Sequence, residues 1–370
     1  MKQFLNNQAS SASKAASVMR GASLIELMIG MVLGLVVVLV VTQVLSFSEG
    51  QRRTTTGGAD AQVNGALAVY SLQREIQMAG YGLTTDPNAL GCDVRAAHAV
   101  AGNFVWSLVP VVIMDGANGA PDSIAVMSAS RSFSVPMTMT VDRALAGDRF
   151  VVNSALGVDA GDLVIAVPQG YVNATNWCTA FGVDGVANTN QLMSNGASAW
   201  NQTLSAVLPA GGYLAGTRLL NTGALVNRTF SLSAALSLQQ QTRSSTSGAA
   251  NVEELFPQIV NLQALYGKDT NGDGAVDTYD NVTPTTNAGW RQVLTIRLAL
   301  VARSATFQKE EVTQAQPQWD VGGAVPVAGA AACGTSSCIT LKVDGLADWK
   351  HYRYSVYGVV IPLRNMLWGS

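Results

Sequence analysis

The hydrophobic pattern along the chain changes period three times. From Leu27 to Phe47 the residues are mostly apolar and carry no formal charge. At about 1.5 Å per residue, roughly 20 such residues cross the roughly 30 Å hydrocarbon layer of a bilayer. In lipid the backbone must satisfy its own hydrogen bonds, so this run predicts a helix. A polar stretch follows from Ser48 to Asn64, with Arg52, Arg53, Gly57 and Gly58. Helical spacing then resumes at Val63, Leu67, Tyr70, Leu72, Ile76 and Ala79, which we expect to pack as an amphipathic surface against a sheet. Two glycines weaken a helix without ending it, whereas Ala79-Gly80-Tyr81-Gly82 stops one, with Gly80 as its cap. One long helix is predicted from Leu24 to about Ala79.

Beyond Asp86 the pattern shortens to strands and turns. Val109–Met114, Ser123–Ser128, Arg149–Val152, Asp162–Val167 and Gly223–Leu232 are rich in β-branched or aromatic residues and predict strands. Clusters such as Asp115-Gly116-Ala117-Asn118-Gly119 and Ala210-Gly211-Gly212 predict the turns between them. Residues 171–222 are polar, with Trp177 and Trp200, and are expected to form an exposed insertion. Gln239 to Ala250 reads as a flexible loop and Val252 to Leu255 as the start of a short helix. Val293–Val301 alternates, with Ile296, Leu298 and Leu300 on one face and Thr295 and Arg297 on the other. Tyr352–Pro362 is the final strand.

Composition fits this reading. The 370 residues include 36 Gly, charged residues are 12%, and formal net charge is −2. That describes a loop-rich β body, and nucleic acid is excluded as a partner because there is no basic block to displace counterions. The expected fold class is α+β, a long N-terminal transmembrane and amphipathic helix packed on an antiparallel β-rich globular head. Its segments are a leader at 1–21, the transmembrane half of the helix at 22–48, the amphipathic half at 49–82 and the head at 83–370.

Glu26 interrupts the apolar reading. An unpaired carboxylate in a membrane helix costs roughly 2.5–3.5 kcal/mol on insertion scales. Cleavage after Gly21 would place a new α-amine on Ala22, with Glu26 as the fifth residue of the mature chain. An amine on a neighbouring copy or homologue could then pair with this carboxylate and set the register between helices. Here Gly21-Ala22-Ser23-Leu24-Ile25-Glu26 resembles the type IV prepilin junction, which typically reads Gly-Phe-Thr-Leu-Ile-Glu; Ala22 replaces the usual Phe. Two further stretches resemble the PilW branch of minor pilins: Leu72-Gln73-Arg74-Glu75-Ile76-Gln77-Met78-Ala79-Gly80-Tyr81, and His351-Tyr352-Arg353-Tyr354 with Leu363-Arg364-Asn365-Met366. The likeness touches both ends and residues 252–303, and not 86–242.

The resemblance implies a structural role. The chain would be inserted in the inner membrane, cut after Gly21 and methylated at Ala22 by a prepilin peptidase, and built into a type IV pilus as a minor pilin that primes assembly. Its partners would be other minor pilins, the major pilin, the peptidase and the inner-membrane assembly platform. Gly30 and Gly34, four apart, could allow close helix approach. The alternatives are a J-like type II secretion pseudopilin and a membrane-anchored, calcium-dependent adhesin.

The leader holds Lys2, Lys14 and Arg20 and no acidic residue, so the positive-inside rule puts the head in the periplasm, and later on the cell surface. Four cysteines there suggest two disulfides. Three connectivities are open, and Cys333–Cys338 with Cys92–Cys178 is favoured because the first closes a short loop.

Asp269 to Asp280 has the spacing of a twelve-residue calcium loop. Side-chain oxygens fall at Asp269, Asn271, Asp273, Asp277 and Asp280, with Gly274 at the sharp turn and the Ala275 carbonyl as a further donor. Asp280 stands where a bidentate Glu is usual and is one methylene shorter. Ca²⁺ is therefore the expected cofactor. His98 and His351 are expected to be structural or surface residues, and no catalytic motif appears, so an enzyme is not expected.

Overall fold

The computed structural model describes residues 23–83, 86–131, 135–246 and 250–367. Gly21 and Ala22, the expected processing pair, and the leader at 1–21 lie outside them. The chain divides into two compact units, Met1–Thr55 and Thr56–Ser370. An α-helix runs Leu24–Gln77, close to the predicted span, and is followed by a β-rich body. Gly80, at φ +80°, sits just past the helix in the turn that ends it.

Among the described residues the strands form five sheets. Two of them cover the helix. One has the order Ala250–Pro257, Ser237–Ser244, Leu225–Leu232, Ser123–Ala129, Val111–Met114. The other runs Thr278–Asp280, Ile259–Lys268, Val293–Arg303, Tyr354–Pro362. Ala68, Leu72, Ile76 and Ala79 of the helix join Ile113, Ile124, Phe230, Tyr266, Leu298 and Ile361 in one buried core. The expected loop at 239–250 and helix at 252–255 are instead paired strands: Gln239, Gln240 and Gln241 face Glu254, Glu253 and Val252 across an antiparallel ladder. Consecutive polar residues there fall on both faces of the ladder, so the alternation that marks a strand is missing and the composition mimics a loop.

Val293–Arg303 is buried on both faces. Ile296, Leu298 and Leu300 enter the helix-side core, and Ala299 and Val301 enter a second core with Trp319, Leu341 and Val343. Thr295 and Arg297 do lie on the opposite face from Ile296, with the Arg297 guanidinium over the rings of Tyr279 and Trp319 at 5.1 and 5.6 Å. A small sheet of Gln318–Asp320, Ser336–Thr340 and Ala331–Cys333 caps this side, and Cys333–Cys338 ties its hairpin.

Residues 93–223 build the remaining sheets. The largest has the order Gly102–Ser107, Asp93–His98, Cys178–Gly182, Leu163–Val167, Arg218–Gly223, Met137–Thr138. The sheets are antiparallel as expected except that the strands Asp93–His98 and Cys178–Gly182 run parallel. Cys92–Cys178 closes 86 residues of chain at the start of that pair. By loop entropy such a closure contributes roughly 4–5 kcal/mol, against about 2 kcal/mol for a hairpin staple. The expected exposed insertion at 171–222 is also corrected. Cys178–Gly182 is buried along its whole length, and Phe181, Leu192, Leu204 and Tyr213 form a core of their own with Phe150. Asn and Ser residues there supply turns over an apolar interior.

Gly65 marks the closest approach of helix and sheet. A Cβ at this position would lie 2.2 Å from the Tyr357 ring and 3.0 Å from Ala302 Cβ. Gly65→Ala gains about 1 kcal/mol of helix propensity but overpacks the core at a cost of about 1–3 kcal/mol. We expect a net loss of stability, read as a lower thermal midpoint.

Asp122 ties the turn at 116–122 to the central strands. Its carboxylate accepts the amides of Gly116 at 2.8 Å and Ala264 at 2.7 Å. Burial pushes its pKa from 3.8 up to about 6; the two amides pull it down and Asp115 raises it further. Between those values the folded chain holds a proton that the unfolded chain has released. The contribution of Asp122 to stability therefore falls as pH rises from about 4 to about 6, by about 3 kcal/mol in all. Chemical denaturation should find Asp122→Asn more costly at pH 4 than at pH 7.

Candidate functional site

The helix carries the first candidate surface. Its stretch Leu24–Gly50 is long and apolar enough to cross a membrane, and all of it is exposed. Two of its polar side chains turn back to the backbone: the Thr42 hydroxyl donates to the carbonyls of Val38 and Leu39 at 3.0 and 2.9 Å, and Ser46 to that of Thr42 at 2.8 Å. Bonds of this kind lower the cost of placing a hydroxyl in hydrocarbon, consistent with membrane anchoring. Glu26 lies in its first turn, exposed, with no ion pair to any described residue. A Cβ placed on Gly30 or Gly34 would meet nothing within 4 Å, so both positions are open for close approach.

In the second unit the helix is apolar on two opposite sides. Val63, Leu67, Tyr70 and Met78 are 56, 49, 65 and 49% exposed. At 100° per residue they fall, with Arg74, in an arc of about 80°. Ala61, Gly65, Ala68, Leu72, Ile76 and Ala79 are buried and centre about 160° away on the same wheel. The six apolar residues predicted to share one surface are thus split. Leu72, Ile76 and Ala79 face the sheets, whereas Val63, Leu67 and Tyr70 face away. Spacing of three and four residues fits both stripes, so periodicity alone could not separate them. Arg228 pairs with Glu75 at 3.3 Å and fixes which side meets the head.

The loop at 269–280 is the second candidate. Gly272 and Gly274 have φ of +81° and +85°, the left-handed turn that the spacing requires. Asp269 is buried at its base and accepts the amides of Gly272 at 2.6 Å and Gly274 at 2.8 Å. The Asn271 amide nitrogen bridges Asp273 at 3.2 Å and Asp277 at 3.1 Å. The hydroxyl of Thr270 and its backbone amide donate to Asp277, and the backbone amide of Asn271 adds to this, holding that carboxyl below the usual range. Ala275 lies on the loop, its own amide donating to Asp273 at 2.8 Å. Asp280 has a cation as its neighbour. It lies in the strand Thr278–Asp280, and Lys268 Nζ stands 2.6 Å from its carboxylate. Placement on a paired strand, where the chain has stopped winding, turns it to that cation instead. Among the described residues no group of three or more His, Cys, Asp or Glu side chains converges to hold a metal.

The two disulfides join the cysteines in the expected pairing. The His351 ring stacks on Phe307 with its Nδ1 2.8 Å from the Gln308 carbonyl, a packed residue as expected. His98 is buried against Trp200 in an aromatic group that the sequence did not reveal, because its members come from separate strands.

The two faces of the helix make opposite predictions for stability. Leu67→Ala should leave the thermal midpoint of the head nearly unchanged, within about 0.5 kcal/mol. Leu72→Ala opens a cavity in the helix-side core and should cost about 2–5 kcal/mol. Equal effects would place both residues in one environment.

Residues 225–365 match the model of the family PilW, Type IV Pilus-assembly protein W. The match spans the strands from Leu225 to Pro362, and so the four-stranded sheet, the loop at 269–280 and the Cys333–Cys338 hairpin. No curated protein and no solved structure matches the chain.

Proposed function

We propose that this chain, whose residues 225–365 match the PilW family of type IV pilus-assembly proteins, is a minor pilin, a structural subunit that packs its helix among those of neighbouring subunits. The observation that carries this reading is the second apolar stripe, Val63, Leu67, Tyr70 and Met78, left exposed on the far side of a helix already packed on its own head. Burying such a stripe against another helix removes it from water at roughly 25 cal/mol per Å². The apolar segment Leu24–Gly50 would do the same within the membrane before assembly, where small residues favour close packing.

Glu26 would select the register. Cut after Gly21 by a prepilin peptidase and methylated at Ala22, the chain would offer an amine that a neighbour's carboxylate can meet. Pairing relieves the cost of an isolated carboxylate in hydrocarbon. The neighbours would be other minor pilins and the major pilin, on an assembly platform in the inner membrane, with the head in the periplasm and then on the cell surface. The family match favours a pilus over the secretion apparatus.

We further propose that the loop at 269–280 binds Ca²⁺ through Asp269, Asn271, Asp273, Asp277 and the Ala275 carbonyl, with Asp280 left to Lys268. In support, the turn is already wound by its glycines, and the Asn271 amide nitrogen lies between two carboxylates that a cation would bring together. Bound there, Ca²⁺ would staple the strands that flank the loop.

Two experiments test these roles. Glu26→Ala and the pair Leu67→Asp, Tyr70→Asp should each insert and fold, yet fall at least about tenfold in sheared pilus fractions; undiminished amounts would refute the packing role. Calorimetric titration of the head should give uptake of Ca²⁺ with a Kd of roughly 10⁻⁴–10⁻³ M, lost in Asp273→Ala. Absence of heat at millimolar calcium would remove the metal.

A further inference from the structure

An aromatic cleft of about 340 Å³ lies between the edge strand Gly102–Ser107 and the outward face of the sheet containing Leu225–Leu232 and Ser237–Ser244. Phe104 and Trp106 stack with ring centroids 5.4 Å apart. Trp200 stands edge-on to Phe104 at 5.9 Å, and His98 edge-on to Trp200 at 4.9 Å. Phe104 keeps 37% of its surface exposed although it packs against two tryptophans. The volume falls within the range of small-molecule sites.

The sheet side of the cleft is polar. Asn227 and Thr229 line it, and alternation along the strand sends their neighbours Arg228 and Phe230 to the helix side, Arg228 onto Glu75 and Phe230 into the core. Thr229 donates its hydroxyl to the side-chain Oδ1 of Asn227 at 3.3 Å, and the Asn227 side-chain N–H groups have no partner among the described residues. Arg243 lies at the cleft, exposed and without a carboxylate partner among the described residues. His98 Nδ1 accepts the amides of Val100 and Ala101 at 3.2 and 3.3 Å, which places the ring hydrogen on Nε2. That N–H has no partner among the described residues either.

These groups select a ligand chemistry. The faces of aromatic rings carry partial negative charge and attract the slightly positive C–H face of a sugar ring. Unpaired N–H donors suit hydroxyl and ring oxygens, and a free guanidinium suits a carboxylate, which it can grip with two parallel bonds. An aromatic or aliphatic peptide side chain would fill the same volume but cover these donors without bonding them, at about 1–3 kcal/mol for each donor it cuts off from water. We propose that this cleft binds an acidic saccharide, with a sugar ring on Phe104 and Trp106, hydroxyls on Asn227 and His98, and the carboxylate on Arg243. The aromatic side comes from residues outside the family match and the polar side from residues within it, so the specificity is a property of this chain and stands apart from its role in assembly.

Saturation-transfer NMR and calorimetry on the detergent-solubilised full chain test the site. The probes are trigalacturonate, a hyaluronan tetrasaccharide and sialyllactose, each beside an uncharged counterpart, and the peptide acetyl-Gly-Trp-Gly-amide. At least one acidic saccharide should bind about tenfold or more tightly than its uncharged counterpart, and Arg243→Ala should abolish that difference. Phe104→Ala should weaken both members of the pair about tenfold with an unchanged melting curve. Binding by no saccharide at millimolar concentration, equal binding by both variants and the wild type, or tighter binding of the peptide would each overturn the proposal.

Discussion

Water rejects apolar surface, and the helix Leu24–Gln77 carries more of it than its own head covers. In the second unit Ala68, Leu72, Ile76 and Ala79 are sealed beneath two sheets, while Val63, Leu67, Tyr70 and Met78 remain in solvent on the reverse side. A monomeric soluble protein with a helix on its surface normally presents charge there. In this chain Arg74 is the charged residue within the exposed stripe, and the glycine at 65 brings the opposite side as close to the sheet as a helix can come. One side is packed into the chain's own core, and the other is the side proposed to meet a neighbouring subunit. The apolar segment Leu24–Gly50 poses the same demand more strongly, and it is long enough for a bilayer to meet it.

The head holds that helix in a fixed rotation. Val293–Arg303 lies at the centre, buried on both faces, and spans the helix-side core and the core beneath the small C-terminal sheet. The Glu75–Arg228 pair and Asp122, bonded to Gly116 and Ala264, fix the edges of the same arrangement. The family match covers this framework from Leu225 onward. The module at 93–223, clamped by Cys92–Cys178, lies largely outside the match and has its own apolar interior. A framework matched by the family model, joined to a module largely outside the match, fits the proposed division between assembly and ligand binding.

Much of this was legible in the sequence, and where it was not the reasons are physical. The helix span and the strands at Ser123–Ala129, Leu163–Val167 and Val293–Arg303 follow from periods that local chemistry enforces. Both disulfides follow from cysteine count and loop length. The strands Ser237–Ser244 and Ala250–Pro257 were hidden because polar residues occupy both of their faces, so no alternation shows and Gln, Ser and Thr read as loop. The buried core at 178–213 was masked by turn residues. Which of the two stripes on the helix faces inward depends on Tyr357 and Ala302, far along the chain, and no local pattern encodes that. Asp280 fits the spacing of a cation loop but lies on a strand beside Lys268, a contact set by pairing register. The aromatic cleft draws on strands more than 100 residues apart, beyond the reach of any motif.

The most direct measurement is site-specific photocross-linking in living cells that build pili. A photoreactive residue at Tyr70, on the exposed stripe, should form covalent adducts with another pilus subunit, and one at Gln62, beside that stripe, should form fewer. Adducts at Tyr70 that contain only this chain's own head, or none that contain a second subunit in intact pili, would contradict the proposal that the outer side of the helix is covered by a neighbour.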